Sequence, residues 1–295
     1  VYLNDGSAGF AVSRLLDISD ASALALGDVD CDGDLDLVVG RGQGRPNAVY
    51  LNDGDGNLTD SGISLGAFGT TCLSFGDLDG DGDLDLVEGT WGQGVKVYYN
   101  SDGVPSVPDT TLGSAYITSL GLIDVDGDGD PDIVVGNLGQ VQVFRNDGDG
   151  AFSEAEGIPD SEGASSLAWG DLDDDGDFDL VVADRTATRF LRNDGSGNFV
   201  PAQVLGGAGL STCVGDVDRD RDLDIISGGT GEGLTFLNLL PASMANDPPS
   251  PPRGPSCSVE GHRIVIKWKD ADDVESSSEV LEYNLRVGTS PGVWD

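Results

Sequence analysis

The residues with the clearest chemical potential are five aspartates at alternate positions of residues 28–36, D-V-D-C-D-G-D-L-D. Carboxylates packed this densely repel one another, so the arrangement calls for a hard cation that shares their oxygens. Calcium fits, because it accepts six to eight oxygen ligands in a flexible shell. The ladder returns at 77–85, 124–132, 171–179 and 216–224, with starts 49, 47, 47 and 45 residues apart. The candidate metal ligands are therefore Asp28, Asp30, Asp32, Asp34 and Asp36; Asp77, Asp79, Asp81, Asp83 and Asp85; Asp124, Asp126, Asp128, Asp130 and Asp132; Asp171, Asp173, Asp175, Asp177 and Asp179; and Asp216, Asp218, Asp220, Asp222 and Asp224.

Numbered from its first aspartate, each loop brings side-chain oxygens at positions 1, 3, 5 and 9 toward one ion if the chain turns sharply between 5 and 7. That turn favours glycine at position 6, which Gly33, Gly82, Gly129 and Gly176 supply. Position 7 would offer its backbone carbonyl, leaving its side chain the weakest ligand. The apolar residues at positions 2, 8 and 10 (Val29, Leu35 and Leu37 in the first copy) pin the loop to what lies beneath. The fifth copy departs, with Arg219 at position 4 and Arg221 at position 6. A side chain in a left-handed turn costs about 1 kcal/mol, and two guanidinium groups compete for the same carboxylates. Four calcium sites are expected intact and the fifth weak or vacant.

Short strands must position these loops. Upstream of each runs an alternating segment in which Leu24/Leu26, Leu73/Phe75, Leu120/Leu122, Leu167/Trp169 and Thr212/Val214 flank a small residue (Ala25, Ser74, Gly121, Ala168 or Cys213). This predicts a strand with its bulky side in a core and its small side crowded near an axis. Downstream come LDLVVG, LDLVEG, PDIVVG, FDLVVA and LDIISG, then third strands ending in turns such as Asn-Asp-Gly at 52–54, 146–148 and 193–195. A more variable fourth strand completes the unit. Four antiparallel strands repeated at this period predict an all-β propeller, with five motif-bearing blades and part of another. Residues 1–10, VYLNDGSAGF, match a third strand and its turn, which suggests a piece of a larger propeller.

Three divisions are expected: a propeller over 1–240, a Pro-rich linker over 241–255, and a truncated β-sandwich segment over 256–295, with Trp268 and Tyr283 on its strands. Cys31, Cys72, Cys213 and Cys257 allow three pairings, and nothing in their spacing selects one. The charge is −38, from 15 Lys+Arg against 53 Asp+Glu. That makes nucleic acid an unsuitable partner, because binding it needs a basic face. No apolar run is long enough for a membrane span.

The pattern G-D-x-D-x-D-G-D-x-D-[LI]-V-V-G together with NDGxGxF resembles the FG-GAP/VCBS repeat family, the calcium-bearing propeller repeats also found in integrin α-subunits. Helical EF-hand and dockerin loops fit less well, because β-branched LDLVVG follows the loop here. Thrombospondin type 3 repeats have shorter periods and paired cysteines. The resemblance covers about residues 1–240. It implies calcium on the loop between the first two strands of each blade, the aspartates above as its shell, and an extracellular or cell-surface setting. Residues 249–290 resemble the start of a fibronectin type III-like domain.

No nucleophile motif stands on a strand-to-helix turn, and the single histidine, His262, lies outside the propeller. The chain is thus expected to be non-catalytic, a calcium-stabilised interaction or adhesion module with a protein or glycan ligand on a propeller face. Alternatives are a lectin using Trp91, Tyr98, Tyr99 or Trp169, a non-catalytic arm of a larger secreted enzyme, and a self-associating fibre subunit. Asn57-Leu58-Thr59 is a glycosylation sequon in a turn.

Overall fold

A computed structural model describes residues 2–4, 10–12, 16, 18–42, 44–101, 107–220, 222–229, 233–238, 253–260 and 263–269. At its two ends lie separate two-stranded hairpins, of which only the backbone pairing is described. The first joins β1 (Tyr2–Asn4) to β2 (Phe10–Val12), the third and fourth strand positions of a repeat.

Between them the predicted propeller blades appear. Blade I is β3 (Ala21–Gly27), β4 (Asp36–Arg41), β5 (Ala48–Leu51) and β6 (Thr59–Ser64). Blade II is β7 (Thr70–Gly76), β8 (Asp85–Thr90), β9 (Val95–Tyr98) and β10 (Thr110–Leu112). Blade III is β11 (Ile117–Ile123), β12 (Asp132–Asn137), β13 (Gln142–Asn146) and β14 (Phe152–Glu154). Blade IV is β15 (Ser166–Gly170), β16 (Asp179–Ala183), β17 (Thr188–Arg192) and β18 (Val200–Gly206). Blade V shows three strands among the described residues, β19 (Ser211–Gly215), β20 (Asp224–Gly228) and β21 (Leu234–Phe236). Every blade is an antiparallel meander in chain order, and the described residues contain no helix.

The first strands of successive blades face one another, β3 to β7 to β11 to β15 to β19. The second strands are sandwiched on both faces, which is why they read as unbroken apolar runs: β8, β12 and β16 are buried throughout. Apolar clusters fill each boundary, as with Val29, Val49, Leu86 and Tyr98 between blades I and II, or Val125, Val143, Leu180 and Leu191 between III and IV. Burying such side chains contributes roughly 1.5–3 kcal/mol each, and this is what stacks the sheets.

The alternation of bulky and small residues now has a three-dimensional meaning. The bulky residue two before each ladder drives into the preceding blade, where glycine makes room. A β-carbon on Gly27 would meet the Phe75 ring at 2.8 Å, and one on Gly121 would meet Trp169 at 2.4 Å. Blade I corrects the expectation that this bulky side is always core. Leu24 is 56% exposed, Leu26 60% and Leu35 also 56%, since this side of blade I is covered only by Leu16 and Ile18 among the described residues. At the other end, a β-carbon on Gly215 would meet nothing within 4 Å among the described residues.

The hairpin of β22 (Arg253–Glu260) and β23 (Arg263–Lys269) begins inside the stretch expected as linker. His262, Tyr283 and the rest of the expected sandwich lie outside the described residues. Cys31, Cys72 and Cys213 are free thiols. No helix among the described residues is long and apolar enough to cross a membrane.

Candidate metal centres

Each ladder forms the hairpin loop between first and second strands, and the register places Asp36, Asp85, Asp132, Asp179 and Asp224 at the start of the second strand. These position-9 aspartates are fully buried. In every blade one carboxylate oxygen accepts the amide of position 2 (Leu78 to Asp85, 2.8 Å; Val125 to Asp132, 2.9 Å). The other accepts the amide of an asparagine at the end of the third strand (Asn100 to Asp85 and Asn146 to Asp132, both 2.8 Å). Burial outweighs these hydrogen bonds in metal-free protein and pushes the carboxyls of Asp85 and Asp132 up to about 6 and that of Asp179 up to about 7.

Position 1 folds the loop. Asp77 accepts from Gly80 at 2.8 Å and Gly82 at 3.0 Å, and Asp124 does the same with Gly127 and Gly129. The turn glycines Gly33, Gly82, Gly129 and Gly176 all have φ between 94 and 96°. Position 4 is left-handed as well, at Cys31 (58°), Gly80 (73°), Gly127 (76°), Asp174 (57°) and Arg219 (70°), a demand that no single copy reveals.

Side-chain oxygens of three aspartates converge to within 4.8 Å of one another in each loop. The sets are Asp28, Asp30 and Asp32 in the first loop, then positions 1, 3 and 9 in the others: Asp77/Asp79/Asp85, Asp124/Asp126/Asp132, Asp171/Asp173/Asp179 and Asp216/Asp218/Asp224. In the last four loops position 5 is not among the three, and it accepts the position-7 amide, as Asp81 does from Asp83 at 2.9 Å. Position 7 points elsewhere. Asp34, Asp130 and Asp177 press against Gly54, Gly148 and Gly195 of the same blade's Asn-Asp-Gly turn, where a β-carbon would come within 2.6, 2.4 and 2.4 Å of a carboxylate oxygen.

The donor set suits a hard divalent cation. It is all oxygen and carries several formal charges, and Asp126 Oδ1 and Asp173 Oδ1 are buried without a hydrogen-bond partner. Their other oxygens meet cations from the third strand, Arg145 to Asp126 at 3.4 Å and Arg192 to Asp173 at 3.6 Å. Sequence reasoning placed competing guanidinium groups only in the fifth loop. Among the described residues Arg219 forms no ion pair, and Arg221 lies outside them. Position 2 is buried in the first four loops, whereas Val217 in the fifth is exposed.

The asparagine at the end of the third strand does more than end it. Asn100, Asn146, Asn193 and Asn238 each donate through Nδ2 to the carbonyl at position 2 of the preceding blade's loop (Val29, Leu78, Val125 and Leu172) at 2.7 to 3.0 Å. Next to Asn146, Arg145 donates to Ser196 O on the following blade's turn at 2.7 Å, and Tyr99 Oη donates to Gly150 O likewise. Aspartate loops and blade boundaries thus form one polar network.

Of the aromatic candidates, Tyr98 is fully buried and donates to Glu88 at 2.8 Å, which removes it from any ligand surface. Trp169 packs in the core, Tyr99 is half-buried, and Trp91 is 55% exposed on the opposite end of the blade. Asn57 of the sequon is exposed, with its side chain donating to Asp53.

A family model described as FG-GAP-like repeat matches residues 28–88, 124–182 and 171–227, more than half of the chain. No curated protein matches by sequence. Among solved structures, the chain resembles an Agrocybe aegerita lectin described as recognising non-reducing terminal N-acetylglucosamine, with a TM-score of 0.56 and 22% identity over 80% of this chain and 71% of that one. It also resembles BBS1N, solved in complex with ARL6DN, with a TM-score of 0.50 and 14% identity over 77% of this chain and 66% of that one. At these identities the likeness is one of fold.

Proposed function

The chain belongs to the FG-GAP-like repeat family, and from that premise we propose that it is a calcium-stabilised, non-catalytic interaction module that works outside the cell or at its surface. The observation that carries this reading is the convergence of three carboxylates in every ladder, built on a buried position-9 aspartate that holds its own loop and third strand together. Calcium would supply the charge that balances these oxygens. Asp124, Asp126, Asp128 and Asp132, and their counterparts, would hold it, with the fifth loop weakest. Most of these oxygens already bind backbone amides, which suits a clamp rather than acid–base chemistry.

A rigid clamp at one end of each blade leaves the loops at the other end free to vary. At the equivalent position two residues past the second strand's apolar run stand Gly42, Trp91, Leu138 and Arg185, the last three exposed. This variation suits a face that binds a ligand. A second reading, carbohydrate binding, is favoured by the exposed Trp91 and is consistent with the lectin of similar fold.

Thermal melting of the chain in calcium and in chelator tests the central reading. A site filled at a hundred times its Kd adds about 2.7 kcal/mol, so several sites should raise the melting temperature by many degrees. Equal melting in both conditions refutes it.

A further inference from the structure

The groove between blades I and II, at the end opposite the metal loops, has about 540 Å³ of space and is lined by Ser22, Gly42, Gly69, Thr70, Thr71 and Trp91. We propose that it binds a neutral saccharide, with a pyranose ring stacked on Trp91. This rests on reading the propeller as a binding module and assigns that module a site and a ligand class.

The first argument is the state of Trp91. A large apolar ring exposed to water is unfavourable, yet this one is held out by a braced turn. Its amide donates to Gly69 O at 2.9 Å. Buried Thr90 donates to Gly94 O at 2.6 Å and accepts the Gln93 amide at 3.2 Å, while Gln93 Nε2 donates to Phe68 O at 3.2 Å. Gly94 admits no side chain, because a β-carbon would sit 2.3 Å from Leu112 O. The Trp91 ring leans on Tyr116, with centroids 4.6 Å apart and planes at 59°. An aromatic fixed in advance loses little entropy on binding.

The second argument is charge. In a chain of net charge −38, no charged side chain among the described residues lines this groove. The nearby Arg45 and Asp20 neutralise each other at 3.1 Å, and Glu88 lies buried behind Thr70. Phosphates, metal ions and acidic or basic peptides therefore find no counter-charge. A pyranose needs none, since it presents a C–H face to an indole and a rim of hydroxyls to hydrogen-bonding groups.

The third argument is the lining. Ser22 Oγ donates to Thr70 O at 2.7 Å and to Gly40 O at 3.2 Å, and Thr71 Oγ1 donates to Gly89 O at 3.0 Å with Cys72 Sγ 3.6 Å away, so each hydroxyl oxygen keeps at least one lone pair to accept from a sugar. Apart from its chain neighbours, no described residue comes within 4 Å of where a β-carbon on Gly42 would be, which leaves this part of the lining open to a ring.

The test titrates the full chain, in calcium, with lactose, cellobiose, maltose and N,N′-diacetylchitobiose, and separately with a proline-rich peptide, reading heat and tryptophan fluorescence. At least one disaccharide is expected to bind. Trp91→Ala should weaken it about tenfold or more, Trp91→Phe less, and Tyr116→Ala by an intermediate amount, with melting temperature and calcium stoichiometry unchanged. Three results overturn the proposal: no disaccharide binds, binding survives Trp91→Ala, or the peptide binds through Trp91 while no sugar does. The calcium-dependent melting above is a separate measurement, so failure of the groove and failure of the clamp are told apart.

Discussion

Asn146 Nδ2 donates to Leu78 O at 2.8 Å, joining residues 68 apart in the chain across the boundary of blades II and III. The Asn146 amide binds Asp132 of its own metal loop, and the Leu78 amide binds Asp85 of the neighbouring one. One asparagine therefore couples two metal loops.

Asn146→Ala leaves the buried Leu78 carbonyl without this donor and should cost about 1–3 kcal/mol. Asn52 is its internal control. Among the described residues its side-chain amide donates only to Leu35 O, within its own blade. Denaturant melts of Asn146→Ala and Asn52→Ala should differ clearly, and equal losses would deny the inter-blade role.

Asp132 and Asp128 belong to one loop but carry different loads. Asp132 is buried and accepts two backbone amides, whereas Asp128 is exposed. In chelator, Asp132→Ala should lose about 2–4 kcal/mol from the two orphaned amides, while Asp128→Ala should melt as the wild type does. In calcium, Asp128→Ala should show a smaller stabilisation than wild type.

The response to pH should depend on calcium. Asp85 and Asp132 titrate near 6 and Asp179 near 7 in metal-free protein, all raised by burial. A carboxyl raised by folding gives stability that is complete below its unfolded value and lost as pH climbs through the folded one. Metal-free protein should thus melt higher at pH 5 than at pH 8. Calcium needs the ionised form, so the calcium-induced rise should be larger at pH 8. Melts at the two pH values, with and without chelator, give both slopes.

Arg219 sits at φ 70°, where glycine stands in the second and third loops. Arg219→Gly should stabilise the protein by about 1 kcal/mol and bring the calcium stoichiometry closer to five. An unchanged melt would show that the position carries no strain.

Glu88 replaces the valine of the repeat (Val39, Val135, Val182) and is fully buried. It accepts from Thr70 at 2.7 Å and Tyr98 at 2.8 Å, while its cross-strand partner Lys96 turns toward the Phe68 ring at 4.8 Å and Thr111 at 3.2 Å. Burial raises its carboxyl above the usual range, against the pull of these hydrogen bonds and of Lys96. Glu88→Gln cannot ionise, so its stability relative to wild type should grow as pH rises from 4 to 8. A difference independent of pH would mean that folding leaves the Glu88 carboxyl at its unfolded value.

Much of this was legible because it is local. The period, the four-stranded meander and the glycine turns of the ladders follow from residue spacing, and each is found where expected. Other features were not legible. Leu26 and Phe75 occupy the same place in the pattern, yet one is exposed and the other packs on Gly27. Tyr98 and Trp91 looked alike as ligand candidates until one proved buried and the other braced in the open.

The sequence by itself determined the unit: five aspartate ladders set between strands, and a sheet for each. Those features depend on backbone geometry within a few residues, which composition and period encode directly. The tertiary structure alone decided which carboxylates converge, which asparagines bind the next blade, and which aromatic is left facing water. Each of these rests on contacts between residues tens of positions apart, and only the stacking of one blade on another brings them together.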